Sequence, residues 1–84
     1  MKVTRILEHL ARGRAMTRFD AERIGDHVLP STISALERKH GLVIDRQMVT
    51  VPGWGGAATR CARYRISSKS ERDRARDVLR RMRA

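Results

Sequence analysis

The chain has 84 residues, enough for one small domain with a modest core. Its formal net charge is +10, and 16 of its 19 cationic residues are arginine, which favours a polyanionic partner. Cys61 is the single cysteine, which excludes an internal disulfide. No apolar run approaches the ~20 residues that cross a bilayer, and the N-terminus is too polar for a signal peptide, so we expect a cytoplasmic protein without membrane contact.

The first regular pattern predicts a helix over residues 3–12. Apolar residues recur there at the spacing of one helical face, and Gly13 follows where a helix ends. That face consists of Val3, Ile6, Leu7, Leu10 and Ala11. The segment is therefore an amphipathic helix, followed by the short connector 14–16.

A second, shorter helix is predicted over residues 17–25. Thr17 and Asp20 have the spacing of a capping box, in which two side chains satisfy free N–H groups at a helix start. Gly25 and Asp26 mark the break that follows.

The third predicted helix covers residues 30–40. Pro30 suits a first helical turn, where no N–H is needed, and Gly41 suits a left-handed helix end. The 3.6-residue period divides the helix into an inward and an outward face. The inward face has Leu29, Ile33, Leu36 and His40; the outward face has Ser31, Ser34, Ala35 and Arg38, with Thr32 and Lys39 on the flanks.

Residues 42–66 predict strands joined in a β-hairpin. Residues 42–44 form a short strand, residues 48–51 a second one, and residues 53–56 a glycine-rich tip. Residues 59–66 return with alternating character. This alternation directs Ala62, Tyr64 and Ile66 inward and Cys61, Arg63 and Arg65 outward.

A last helix is predicted over residues 69–83, with Ser68 and Glu71 as a second capping box. Its acidic residues stand three or four positions before arginines, so about half of the arginines are expected in a self-compensated solvent face. Its apolar stripe can pack on the domain or on a second copy, and consists of Ala75, Val78, Leu79 and Met82. The whole chain, 1–84, is predicted to be one α+β unit.

The segment from Val3 to Ile66 resembles the winged helix-turn-helix family of DNA-binding proteins. Its most specific part is residues 31–43, with the pattern STIS-x-L-x-x-x-x-GLV, which looks like a recognition helix and the first strand of a wing. The resemblance implies three N-terminal helices, a β-hairpin wing and a C-terminal helix. Relative to the minimal helix-turn-helix pattern, Ile33 and Leu36 lie two residues farther along the chain. The turn before the third helix is therefore longer than the turn of the minimal motif. The small size and arginine content also resemble regulators of temperate phages and prophages.

The candidate DNA-binding residues follow from side-chain chemistry on the third helix and the hairpin. Small hydroxyl residues allow close approach to DNA, and Arg38 has the reach and fork to bond guanine O6 and N7. Arg60 and Arg63 suit phosphate contact, and Arg60 also suits a minor groove. Trp54 either contacts DNA or folds back into the core. The candidates on the third helix are Ser31, Thr32, Ser34, Arg38 and Lys39. The candidates for contact through the hairpin or with the DNA backbone are Arg18, Trp54, Arg60 and Arg63. The alternative is that these faces are merely solvated.

We expect a protein that binds double-stranded DNA and regulates transcription by occupying an operator. A homodimer through the stripe of the last helix is compatible with the resemblance. No Ser/His/Asp set, metal-ligand spacing or phosphate-binding loop is present in the sequence, so no enzyme activity, metal or cofactor is expected. The alternatives are an accessory factor in recombination, replication or packaging, and a protein-interaction module on the same scaffold.

Overall fold

The computed structural model describes residues 2–83, except for the side chains of Lys2 and Trp54. Within this range the chain forms four α-helices and a three-stranded antiparallel sheet, an α+β arrangement. In chain order the elements are α1 (Lys2–Ala11), β1 (Met16–Thr17), α2 (Arg18–Glu22), α3 (Leu29–His40), β2 (Asp45–Pro52), a 3-10 turn (Trp54–Gly56), β3 (Ala58–Arg65) and α4 (Lys69–Arg83). The helices α1, α3 and α4 agree with the predicted ones to within a residue at each end.

The helix α2 is shorter than the predicted 17–25. Its predicted start is confirmed, because Thr17 and Asp20 form the capping box in both directions. After Glu22 the chain closes in a Schellman motif, with Gly25 at φ +87°. The N–H of Gly25 donates to the oxygen of Glu22 at 3.1 Å, and the N–H of Asp26 donates to that of Ala21 at 3.0 Å. The predicted break at residues 25–26 is therefore a defined helix end.

The predicted strand at residues 42–44 is wrong. Leu42 and Ile44 are buried in the core, and the N–H of Val43 donates to a carboxylate oxygen of Glu71 at 2.8 Å. A backbone that bonds to a side chain of α4 is not available to a neighbouring strand. The first long strand is instead β2, which contains the predicted residues 48–51.

The strand β1 was not predicted, since Met16 falls in the expected connector, Thr17 falls at the start of the second predicted helix, and two residues are too few to show alternation. It pairs with β3, which also pairs with β2, so the sheet order is β1-β3-β2. Tyr64 of β3 lies opposite Met16 on one side and Arg46 on the other. Met16 is buried, and β1 thereby joins the start of α2 to the hairpin.

The apolar stripe of α4 belongs to the core of this chain. Ala75, Val78 and Leu79 are buried, Met82 packs against the same cluster, and α4 contacts α1. Burial of these side chains within one chain leaves little apolar surface for a second copy. Of the two alternatives left open for these four residues, the structure shows packing on the domain, while a homodimer stays a prediction.

Cys61 was predicted to face outward, but only 6 % of it is exposed. It lies opposite Val49 on the sheet face away from Tyr64 and is not part of the main core cluster. The helix α2 contacts β3, so this face of the sheet is partly covered. No helix within residues 2–83 combines the length and apolar character needed to span a bilayer.

Candidate nucleic-acid interface

The helix α3 presents its polar side to solvent. Leu29, Ile33 and Leu36 are buried in the core, as the helical period predicts, and His40 is half-buried. The opposite side carries two hydroxyl groups and two cations, and its exposed residues are Ser31, Ser34, Arg38 and Lys39. The exposure predicted for these residues is thus confirmed, while their contact with DNA stays a prediction.

The start of α3 is held by Asp26, whose side chain is 1 % exposed. Its Oδ1 accepts a hydrogen bond of 2.8 Å from the N–H of Val28, which is the N-cap and has no polar side chain of its own. Its Oδ2 accepts a hydrogen bond of 2.6 Å from the hydroxyl of Thr32. Asp26 therefore connects the turn to the first turn of α3.

Thr32, a predicted DNA-binding residue, takes part in this contact. Its hydroxyl donates to a buried carboxyl group and its side chain is half-buried, so Thr32 helps to hold the start of α3, while its contact with DNA stays a prediction. The sequence pattern indicates only a helix break at Asp26, and its contacts with the start of α3 were not predicted. They could have been expected, since an Asp shortly before a helix often accepts hydrogen bonds from nearby backbone N–H groups.

The end of α3 is held by α4. Gly41 has φ +63° and donates its N–H to the oxygen of Glu37 at 2.9 Å, which is the predicted left-handed end. The guanidinium of Arg74 donates to the main-chain oxygens of His40 and Gly41, each at 3.2 Å. A cation at these oxygens satisfies carbonyl groups that have no partner within the helix and favours the negative end of the helix dipole.

Glu71 completes this connection. It forms a 2.8 Å ion pair with Arg74 and accepts the N–H of Val43. The hydrogen bond from Arg74, followed by that from Val43, lowers the pKa of the Glu71 carboxyl below its ordinary value. The predicted capping box at the start of α4 is only half formed: the N–H of Glu71 approaches the hydroxyl of Ser68 at 3.4 Å, while its carboxylate is used by Val43 and Arg74.

The hairpin is attached to α3 through Arg46. Its guanidinium forms a 2.9 Å ion pair with Glu37 of α3 and lies 5.4 Å from the centre of the Tyr64 ring. The hydrogen bond that Arg46 donates to Glu37 raises the pKa of Arg46 above its already high ordinary value, so this side chain stays charged. Arg46 therefore marks the face of the hairpin that adjoins α3.

The register places Arg60 on this same face. Arg60 lies opposite Thr50, four residues from Tyr64 along β3, and successive side chains of a strand alternate between faces. Arg60 is exposed, so the face of the hairpin that adjoins α3 carries a second cation in addition to Arg46.

Arg63 occupies the other face. It lies opposite Gln47 and Thr17, and its guanidinium donates to the side-chain oxygen of Gln47 at 3.3 Å. Arg60 and Arg63 therefore lie on opposite faces of the hairpin, because an offset of three positions along a strand reverses the face. Their contact with phosphate stays a prediction. Only Arg60 shares a face with the attachment to α3.

Arg18 and Trp54 are the two remaining candidates, and Arg18 lies on α2, apart from this surface. Arg18 is exposed in the first turn of α2, and its guanidinium stacks 4.9 Å from the ring centre of Phe19. The prediction for Trp54 concerns a side chain that lies outside the described residues.

Half of the six arginines of α4 form ion pairs within the helix, as its sequence predicts. Arg74, Arg76 and Arg80 each form an ion pair three residues back, and Arg83 pairs with Glu8 of α1. By contrast, Arg38 and Lys39 have no carboxylate within 4 Å in the part of the chain that the structure describes. The uncompensated positive charge therefore includes the outward face of α3.

Comparisons of the chain with protein-family models, with curated protein sequences and with solved structures find no match.

Proposed function

We propose that this protein is a winged-helix protein that binds double-stranded DNA in a sequence-specific manner and regulates transcription by occupying an operator. One observation carries the proposal: α3 exposes Ser34 and Arg38 while Asp26 and Arg74 hold its two ends. A helix held in this way presents side chains in a constant geometry, which discrimination between bases requires.

In this proposal α3 lies in the major groove. Ser31 and Ser34 are small enough for close approach of the helix, and Arg38 bonds to a guanine through its two terminal nitrogens. In the structure the Arg38 Nε donates weakly to the oxygen of Ser34, at 3.4 Å, and the end of the side chain is exposed. Arg60 on the adjoining hairpin face contacts a phosphate or enters the neighbouring minor groove.

An accessory factor with modest sequence preference is the second candidate. It is favoured by the exposure of Arg63 and Arg65 on the hairpin face away from α3, because cations spread over several faces support binding to phosphate without reading bases. Both candidates bind duplex DNA, and they differ in selectivity.

Binding titrations test the proposal. We expect a duplex selected from a random pool to bind at least 1000-fold more tightly than random duplex at physiological salt, since specific sites typically exceed non-specific ones by ~10³–10⁷. Equal, salt-sensitive affinities support the accessory factor instead. Absence of binding to any duplex contradicts both.

The variant R38A links the result to α3. We expect R38A to lose ~1–3 kcal/mol of affinity for the selected duplex and to accept other bases at one position. The matched control is R81A, which removes the same charge from an exposed position of α4. If both variants bind and select alike, Arg38 does not read DNA.

A further inference from the structure

A groove between α1 and α2 lies apart from the surface proposed to bind DNA. Its volume is about 580 Å³, within the ~300–1,000 Å³ that small-molecule sites occupy. No residue of α3 or of the hairpin strands β2 and β3 lines it. Its charged lining consists of Arg5, Arg12, Arg14, Arg23, Glu8 and Asp20.

Both carboxylates of the groove already have partners. Glu8 forms ion pairs with Arg12 and with Arg83 of α4. Asp20 accepts the N–H of Thr17 at 2.9 Å in the capping box of α2. Glu8 is compensated by these arginines, while Asp20 keeps its negative charge. The four arginines and two carboxylates of the lining leave a formal net charge of +2.

Three of the arginines have no such partner. Within the described residues no carboxylate lies within 4 Å of the guanidinium groups of Arg5, Arg14 or Arg23. This differs from α4, where Arg76 and Arg80 are paired along the helix. The groove is thus lined by three arginines whose guanidinium groups have no ion-pair partner within the described residues. Each guanidinium group can bind two oxygens of one phosphate.

The groove also has a fixed wall. An imidazole nitrogen of His9 on α1 lies 2.9 Å from the oxygen of Ala15, which ties the connector carrying Arg14 to α1. Half-buried Ala15 and Ile24 supply an apolar surface beside the arginines. Several guanidinium groups next to a small apolar surface suit a ligand that carries several phosphate groups.

We propose that this groove is a second phosphate-binding site, which takes a ligand with two or more phosphate groups and is independent of the α3 surface. Two sources offer this chemistry: a free polyphosphate compound, such as a nucleoside triphosphate, and the backbone of a second DNA duplex. The site goes beyond the proposed reading of DNA by α3 and does not require it.

Isothermal titration with inorganic triphosphate tests the site. We expect saturable binding to the full chain at one site, weakened at least 10-fold in the double variant R14Q/R23Q. Both residues are exposed, so the variant is expected to fold, and circular dichroism checks this. The matched control R76Q/R81Q loses the same charge from exposed positions of α4. Equal weakening in both double variants, or none in R14Q/R23Q, overturns the proposal.

A competition arm distinguishes the two sources. Duplex DNA is added to the R38A variant, whose α3 surface is impaired, in the presence of triphosphate. If the duplex displaces the triphosphate bound at Arg14 and Arg23, the site is assigned to a second duplex. If the triphosphate stays bound, the site is assigned to a free polyphosphate. The two proposals fail separately: loss of selectivity in R38A with triphosphate binding retained leaves the groove site intact.

Discussion

The guanidinium of Arg74 donates a hydrogen bond of 3.2 Å to the main-chain oxygen of His40, across 34 positions of sequence. The last helix thereby holds the end of the helix that we propose lies in the major groove. Stability of the domain and presentation of α3 are coupled through this contact.

Replacement of Arg74 tests that coupling. We expect R74A to lower the free energy of unfolding by about 1 kcal/mol, since the lost hydrogen bonds are partly exposed, and to weaken DNA binding as the end of α3 loosens. Urea unfolding and a binding titration measure the two effects. R76A is the matched control: both arginines are 50 % exposed and both form a 2.8 Å ion pair, but Arg76 does not reach α3. Similar losses in both variants would argue against the coupling.

The buried contact between Asp26 and Thr32 is expected to matter more for stability. D26A leaves the N–H of Val28 and the hydroxyl of Thr32 without their acceptor, which costs ~1–3 kcal/mol in urea unfolding. T32V removes the donor and leaves a buried oxygen of Asp26 unpaired, so a similar loss is expected. T32S keeps the hydroxyl and should retain most of the stability. A T32S variant as unstable as T32V would mean that the methyl group, not the hydrogen bond, is important.

The lowered pKa of Glu71 predicts a dependence of stability on pH. Because the folded pKa lies below the ordinary value of 4.5, the stabilising contribution is present above that value and is lost as the pH falls through the folded pKa. The difference in unfolding free energy between wild type and E71Q is therefore expected to be constant near neutral pH and to shrink below about pH 4.5.

Urea unfolding of both proteins from pH 7 to pH 3 measures this difference. The comparison repeated in the R74A background serves as control, because removal of the main cause of the lowered pKa should reduce the pH dependence. A difference that stays flat to pH 3 in the wild-type background contradicts the assignment.

The opposite faces of Arg60 and Arg63 predict different effects on DNA binding. We expect R60A to weaken binding to all duplexes and to reduce the slope of log affinity against log salt by ~1, since one phosphate contact is lost. R63A makes the same change of charge three positions farther along β3 and is expected to leave the slope nearly unchanged. Equal slopes for the two variants would show that the hairpin contributes only general charge.

Features that depend on residues close together in the chain could be predicted from spacing and side-chain chemistry alone. The capping box of Thr17 and Asp20, the glycine end at Gly41 and the two faces of α3 all agree with the structure. Each depends on residues within one or two helical turns, so spacing and side-chain chemistry specify it. The ion pairs within α4 follow for the same reason.

Features that join distant segments became visible only in the folded chain. Residues 42–44 are not a strand because Glu71, 28 positions away, takes the N–H of Val43. The strand β1 exists because β3 lies beside it, and the stripe of α4 is buried because α1 covers it. The convergence of Arg5, Arg14 and Arg23 on one groove is likewise a property of how α1 and α2 pack. Such contacts depend on which elements come together in space, and residue spacing along one element does not encode that.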